Sequence, residues 1–192
     1  MFDGFSFFPD IDLYYQGDST EAYDLVDELV DKNVDFIKFA LCIHNPVSRK
    51  YSSFDTWVDP DGKHHQQKLY DTFEQRIISE TKATNFLEYC KSKNVNLIAS
   101  VYDSVSVSLA SKYCIALKVS SANITNFPLI EDISRNCENF IIDTGNSTDS
   151  DISNALEFVD KINPSMNILV QYSPTRPPKL SSTWNMWRIK EM

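Results

Sequence analysis

The chain has 192 residues, 42% of them hydrophobic, and a formal net charge of −9. That length supports one substantial core and is short for two ordinary domains, so residues 1–192 are read as a single domain. The acidic balance repels phosphate and argues against nucleic acid or an anionic membrane as partner, and no stretch approaches the roughly 18 to 20 continuous apolar residues of a membrane span.

The N-terminus, MFDGFSFFPDIDLYY, carries acids where a secretory signal carries basic residues, so a cytoplasmic location is expected. Phe5 to Phe8 is the first strand candidate, closed by Pro9. Ala22, Leu25, Val26, Leu29 and Val30 then form one helical face within Glu21 to Asn33, with Asp18, Ser19 or Thr20 as cap. Phe36 to Ile43 is a continuous apolar run interrupted by Lys38, as expected of a parallel strand covered on both sides. The polar segment Asn45 to Lys68 reads as a long loop around the turn Asp59-Pro60-Asp61-Gly62, and its histidines His64 and His65 as solvated. A short helix over Tyr70 to Ile78 follows.

Ser79, or Thr81, caps a helix to about Lys93, with Phe86, Leu87 and Cys90 inward. Val95 to Val101 and Cys114 to Val119 are strands joined by a helical segment. Asn126 to Asn136 is a helix, Asn139 to Ile142 a strand, and Asp151 to Ile162 a helix capped by Thr148 or Asp149. Asn146-Ser147-Thr148 is accordingly read as part of a cap, not as a glycosylation acceptor. Asn167 to Val170 is the sixth strand, followed by a proline-rich loop and a tail whose Trp184 and Trp187 would share a helical face. The four cysteines, Cys42, Cys90, Cys114 and Cys137, are far apart and read as reduced core residues.

Strands separated by crossovers of ten or more residues imply parallel pairing and an α/β fold. Two closures compete: an eight-stranded (β/α) barrel of which about six strands are present, and an open doubly wound sheet, which the lack of a GxGxxG motif disfavours. Reactive groups in either collect at the carboxyl ends of the strands. There lie Asp10, Asp12, Ser100, Tyr102, Asp103, Lys118, Ser120, Ser121, Asp143, Thr144, Gln171 and Ser173, with Lys38 inside the second strand. A lysine in an apolar strand loses hydration and needs an anion. Lys38 and Lys118 therefore mark a site for a phosphate or carboxylate ligand, helped by the Ser100 and Ser121 hydroxyls; the alternative is an internal acid, Asp10, Asp103 or Asp143, or snorkelling outward. Asp10 and Asp12 are candidates for a general base or metal ligand, or for a cap.

The segments DFIKF, FLEYCKSKNVNLIASVYD, IALKVSSANITNFPLIEDIS, FIIDTGNSTDSDISNALEFV and NILVQYSPTRPP together resemble the N-terminal, NeuB-like barrel of the N-acetylneuraminate (sialic acid) synthase family, over about Ser19 to Pro178. The resemblance implies a TIM-barrel-like fold and condensation of phosphoenolpyruvate with an N-acylated amino sugar, assisted by Mn²⁺ or Mg²⁺ that polarises the aldehyde. It places Lys38, Ser100, Lys118 and Ser121 on the phosphoenolpyruvate anion, with Ser100 where the family usually has Thr, and Asp10 where the family has a catalytic Glu. The chain departs from the pattern at Asp12 to Gly17, where an Asn-His-Asn is lost, and at Ala40, Asn123, Pro174 and Arg176. The family's metal-binding histidines follow its seventh and eighth strands and have no counterpart before Met192, nor has the antifreeze-like C-terminal domain. The expectation is a divergent, truncated synthase-like protein that keeps part of the anion site with catalysis weak or lost. Its expected partner is a small anion, with an amino sugar and a second copy of the chain as further candidates. The alternatives are an active synthase completed by another chain and an unrelated barrel aldolase using Lys118 as a Schiff base.

Overall fold

A computed structural model describes residues 7–11, 19–145, 147–173 and 184–190. The chain divides into two compact units, Met1–Leu97 and Ile98–Met192. In the first lie helix α1 (Ser19–Asp31), strand β1 (Phe36–Leu41), strands β2 (Phe54–Val58) and β3 (His64–Lys68), helices α2 (Leu69–Glu74) and α3 (Glu80–Ser92), and the opening of strand β4 (Asn96–Val101).

Two nearly identical helix-to-strand turns, Lys32-Asn33-Val34-Asp35 and Lys93-Asn94-Val95-Asn96, lead into β1 and β4. Asn33 and Asn94 both take φ 57°. The next amide reaches back over the turn, Val34 N to Leu29 O at 3.1 Å and Val95 N to Cys90 O at 3.4 Å. This is the Schellman ending of a helix, and asparagine tolerates its left-handed position better than other residues with a side chain. The two turns lie side by side, since Asn96 N donates to Asp35 O at 3.3 Å.

Helix α3 starts at Ser79, whose hydroxyl accepts from Lys82 N as expected. Its Ala83, Phe86, Leu87 and Cys90 are fully buried, as are Ala22 and Val26 of α1 and Ile37, Phe39 and Leu41 of β1. The Phe86 ring lies 5.5 Å from Phe39 and 5.9 Å from Tyr23, tying both helices to the strand. At the rim Asp27 accepts from the Tyr89 hydroxyl and pairs with Lys93, both at 2.6 Å. The Lys93 bond, with that of Tyr89, holds the Asp27 carboxyl below its usual range.

The first strand expected from the sequence is displaced. Residues 1–6 fall outside the described residues, and pairing occurs past Pro9, where Asp10 forms a parallel bridge with Lys38. Lys38 N donates to Pro9 O and Ile11 N to Lys38 O, both at 2.9 Å. Proline lacks only the donor, so its carbonyl still joins a ladder. The expected loop Asn45 to Lys68 also contains more order: β2 and β3 pair antiparallel across the Asp59–Gly62 turn. Asp59 Oδ1 accepts from Asp61 N and Lys63 N, and Gly62 takes φ 82°. His64 and His65 are thus strand residues, and His65 lies 2.7 Å from Asp59 and stacks on Trp57 at 5.3 Å.

The second unit continues β4 and adds α4 (Ser104–Ala110), β5 (Ala116–Val119), a short 3₁₀ turn (Ser121–Asn123), α5 (Phe127–Asn136), β6 (Asn139–Asp143), α6 (Asp149–Ile162), β7 (Asn167–Gln171) and a second 3₁₀ turn (Met186–Lys190). Strands β4, β5, β6 and β7 lie side by side in that order, all parallel. Each helix begins on a side-chain cap: Asp103 with Ser106 for α4, Asn126 for α5, and Thr148 with Asp151 for α6. Of the two caps left open by the sequence, Thr148 and Asp149, the structure has Thr148; Asn146 lies outside the described residues. Leu117, Val119, Phe140 and Ile142 are at most 1% exposed, and each contributes about 1.5 to 3 kcal/mol by burial. Phe127 and Phe158, 4.9 Å apart, join α5 to α6.

Trp184 precedes the last 3₁₀ turn, so it does not share a helical face with Trp187. Its carbonyl accepts from the Tyr172 hydroxyl at 2.8 Å, and Arg188 pairs with Asp149. No described helix is long and apolar enough to cross a membrane.

Asn94→Ala places a Cβ-bearing residue without a local polar side chain in a left-handed position, and costs about 1 kcal/mol in urea denaturation, whereas Asn94→Gly is close to neutral. Burial pushes the Cys90 thiol up to about 12 and the Cys137 thiol up to about 11. The folded chain therefore keeps protons that unfolded thiols release above about 8.5, so stability is full below that pH and declines as pH rises toward those values; Cys90→Ala makes the decline shallower when urea melts are repeated across that range.

Candidate functional site

Strand β5 is only four residues long, and its third, Lys118, stands in register with Ser100 of β4 and Ile141 of β6. Side chains of registered residues share a face of the sheet, and the same face recurs two residues later. That periodicity brings Ser120, Asp143 and Gln171 onto the face of Lys118, at the carboxyl ends of their strands. Lys118 Nζ lies 2.8 Å from Asp143 Oδ2, with side-chain exposures of 11% and 12%. The other oxygen of Asp143 accepts from Gly145 N at 3.1 Å. The carboxylate is thereby anchored by a lysine on one side and a backbone amide on the other.

Gly145 has a packing reason. A Cβ there would sit 3.0 Å from the Ser173 carbonyl oxygen and 3.4 Å from Ser121 Oγ. Ser121 thus lies against the turn that holds Asp143. Ser100 is 2% exposed, and Ser120 Oγ accepts from Asn123 Nδ2 at 3.1 Å. Buried Thr144 donates both its amide and its hydroxyl to Gln171 O, each at 3.0 Å. Among the described residues, Gln171 Oε1 and Ser147 Oγ are buried without a hydrogen-bond partner. The sequence reading placed Gln171 and Ser173 at strand ends without assigning them a role; the Asp143-Thr144-Gly145 turn was the available signal.

In the first unit Lys38 is 4% exposed, and its ammonium is 2.9 Å from Asp10 Oδ2. The structure therefore chooses among the acids left open by the sequence: Asp10 for Lys38, Asp143 for Lys118, and Asp103 as the cap of α4. Asp12 lies outside the described residues. Each lysine forms a neutral pair with its acid, and one carboxylate oxygen occupies one of the three donors an ammonium offers.

His44 and His64 are exposed, and His65 is engaged by Asp59. Among the described residues no three His, Cys, Asp or Glu side chains stand together as metal ligands do. Asp10 and Asp143 are each neutralised by a lysine. These residues do not fit the metal that the resemblance implies, and no chemical step is derived through one.

The model of the NeuB family matches residues 25–192. The chain belongs to the NeuB family. Among solved structures it is similar to an N-acetylneuraminic acid (sialic acid) synthetase from Leptospira borgpetersenii, with a TM-score of 0.76 and 18% identity over 97% of this chain. A putative spore coat polysaccharide biosynthesis protein E from Chromobacterium violaceum gives 0.75 and 17% over 96%. A phospho-2-dehydro-3-deoxyheptonate aldolase from Thermotoga maritima gives 0.55 and 11% over 85%, covering 39% of that protein. The chain spans 60% and 54% of the length of the first two. No curated protein sequence matches it. At these identities the likeness is one of fold: α/β with parallel strands, of the TIM-barrel-like kind, and incomplete as the sequence implied.

Removing one partner of a buried pair strands the other charge. Lys118→Met and Asp143→Leu each lower unfolding free energy by roughly 3 kcal/mol, and the double variant recovers most of that loss. Urea melts of the three variants check the cycle; additive losses would contradict a direct pair.

Proposed function

We propose that this NeuB-family chain is a sialic acid synthase-like protein that keeps part of an anion site for phosphoenolpyruvate or a similar carboxylate, with catalysis weak or lost. The observation that carries this reading is the ammonium of Lys118, held at the carboxyl end of a central parallel strand beside the buried hydroxyl of Ser100. Asp143 takes one donor of that ammonium; a ligand anion takes another, with Ser121 as a further donor. Lys38 is the second candidate cation, tested on its own, and an N-acyl amino sugar is the candidate second substrate.

Two observations support the reading of weak or lost catalysis. Asp10, the candidate catalytic carboxylate, is engaged by Lys38, and the described residues do not assemble a metal site that could polarise an aldehyde. Full turnover would call for groups from outside the described residues. A Schiff-base aldolase has less support, because addition to a carbonyl needs a free amine and Lys118 Nζ is engaged by Asp143 at 2.8 Å.

Calorimetry with phosphoenolpyruvate, with and without Mn²⁺, tests the reading. Metal-independent binding is expected, weakened by Lys118→Ala more than about tenfold, equivalent to about 1.4 kcal/mol; Lys38→Ala tests the second candidate cation separately. Asp143→Asn removes the anion that competes for Lys118, so the ligand raises the melting temperature of that variant more than that of the wild type. Unchanged affinity in Lys118→Ala would sink the site; metal-dependent binding of both substrates would instead favour an active synthase.

A further inference from the structure

The hairpin of β2 and β3 stands apart from the main sheet as a two-stranded sheet of its own. All five residues of β2 are exposed, including Phe54 at 58%, Trp57 at 45% and Val58 at 53%. A lone two-stranded sheet is marginal in water, and a free strand edge is a template for another strand. Nothing in the proposed chemistry bears on this edge.

The ladder shows which backbone groups point outward. Asp59 N donates to Lys63 O at 3.0 Å, and Leu69 N donates to Ser53 O at 2.9 Å. Antiparallel pairs alternate between hydrogen-bonded and non-hydrogen-bonded. Asp55 and Trp57 therefore also bond toward β3, while the amides and carbonyls of Phe54, Thr56 and Val58 face away from it. The Thr56 amide has only a local acceptor, Asp55 Oδ1 at 3.0 Å.

We propose that two copies of this chain associate through the free edge of β2, joining their hairpins into one four-stranded antiparallel sheet about a twofold axis at Thr56. Paired with itself about Thr56, the strand Phe-Asp-Thr-Trp-Val sets Phe54 opposite Val58 of the second copy and Asp55 opposite Trp57. No like charges meet, and an apolar pair forms on each side of the axis. Its outward amides and carbonyls are those at 54, 56 and 58, which this register matches to one another. Self-pairing of β3 about Gln66 would instead set His64 opposite Lys68 and His65 opposite Gln67, with no apolar pair. Local charge permits the association: residues 49–68 carry four lysines or arginines against three aspartates, although the whole chain has a net charge of −9.

Sedimentation velocity over a dilution series tests the interface in the 192-residue chain. A reversible dimer is expected. Thr56→Pro deletes an outward amide that β3 does not use, leaves the fold intact by circular dichroism, and weakens dimerisation at least about tenfold. Thr56→Cys is the second arm, because residues facing each other in a hydrogen-bonded pair have Cα atoms about 5.5 Å apart, within disulfide reach. It gives a disulfide-linked dimer on mild oxidation, whereas Gln66→Cys and the wild type do not. A wild type that stays monomeric, including one that captures only a foreign strand peptide, overturns the proposal. So does a dimer that Thr56→Pro leaves unchanged and Thr56→Cys fails to link.

Discussion

Parallel pairing of β4, β5, β6 and β7 is the constraint on which the second unit depends. A parallel neighbour is reached only after the chain has returned the length of the strand, so α4, α5 and α6 each carry one return. The helices cover the sheet, which is why Leu117, Val119, Phe140 and Ile142 lose nearly all contact with water. The same constraint puts every carboxyl end at one edge of the sheet. Residues far apart in sequence, Ser100, Lys118, Asp143 and Gln171, become neighbours there with no local signal between them.

Charge within such a sheet must be compensated. Lys38 and Lys118 meet that requirement with carboxylates of their own unit, Asp10 and Asp143. An anionic ligand of the proposed kind would compete with an internal acid as well as with water. Gly145 stabilises this arrangement through backbone alone, donating to Asp143 from a position where a side chain would strike the Ser173 carbonyl. The Asp143 carboxylate is thus held from two sides, by Lys118 and by the Gly145 amide.

The hairpin and the tail follow other rules. Neither is part of the main sheet, and both display large apolar groups, Phe54, Trp57 and Val58 on one and Met186, Trp187 and Ile189 on the other. The chain belongs to the NeuB family and spans 60% and 54% of two solved proteins that share its fold.

The amino-acid sequence by itself determined the helices, through caps such as Ser79 and Thr148 and through apolar faces such as that of Phe86, Leu87 and Cys90. It also determined the buried parallel strands, because a strand covered on both sides must be apolar throughout. It disclosed two anomalous lysines but not which acid each would meet, since that depends on strand register. Only the tertiary structure decided that Asp143 rather than Asp103 faces Lys118, and that Asp10 pairs with Lys38. The hairpin was illegible for a related reason: with β2 wholly exposed it has no buried face, and hydrophobic periodicity reports burial, not hydrogen bonding.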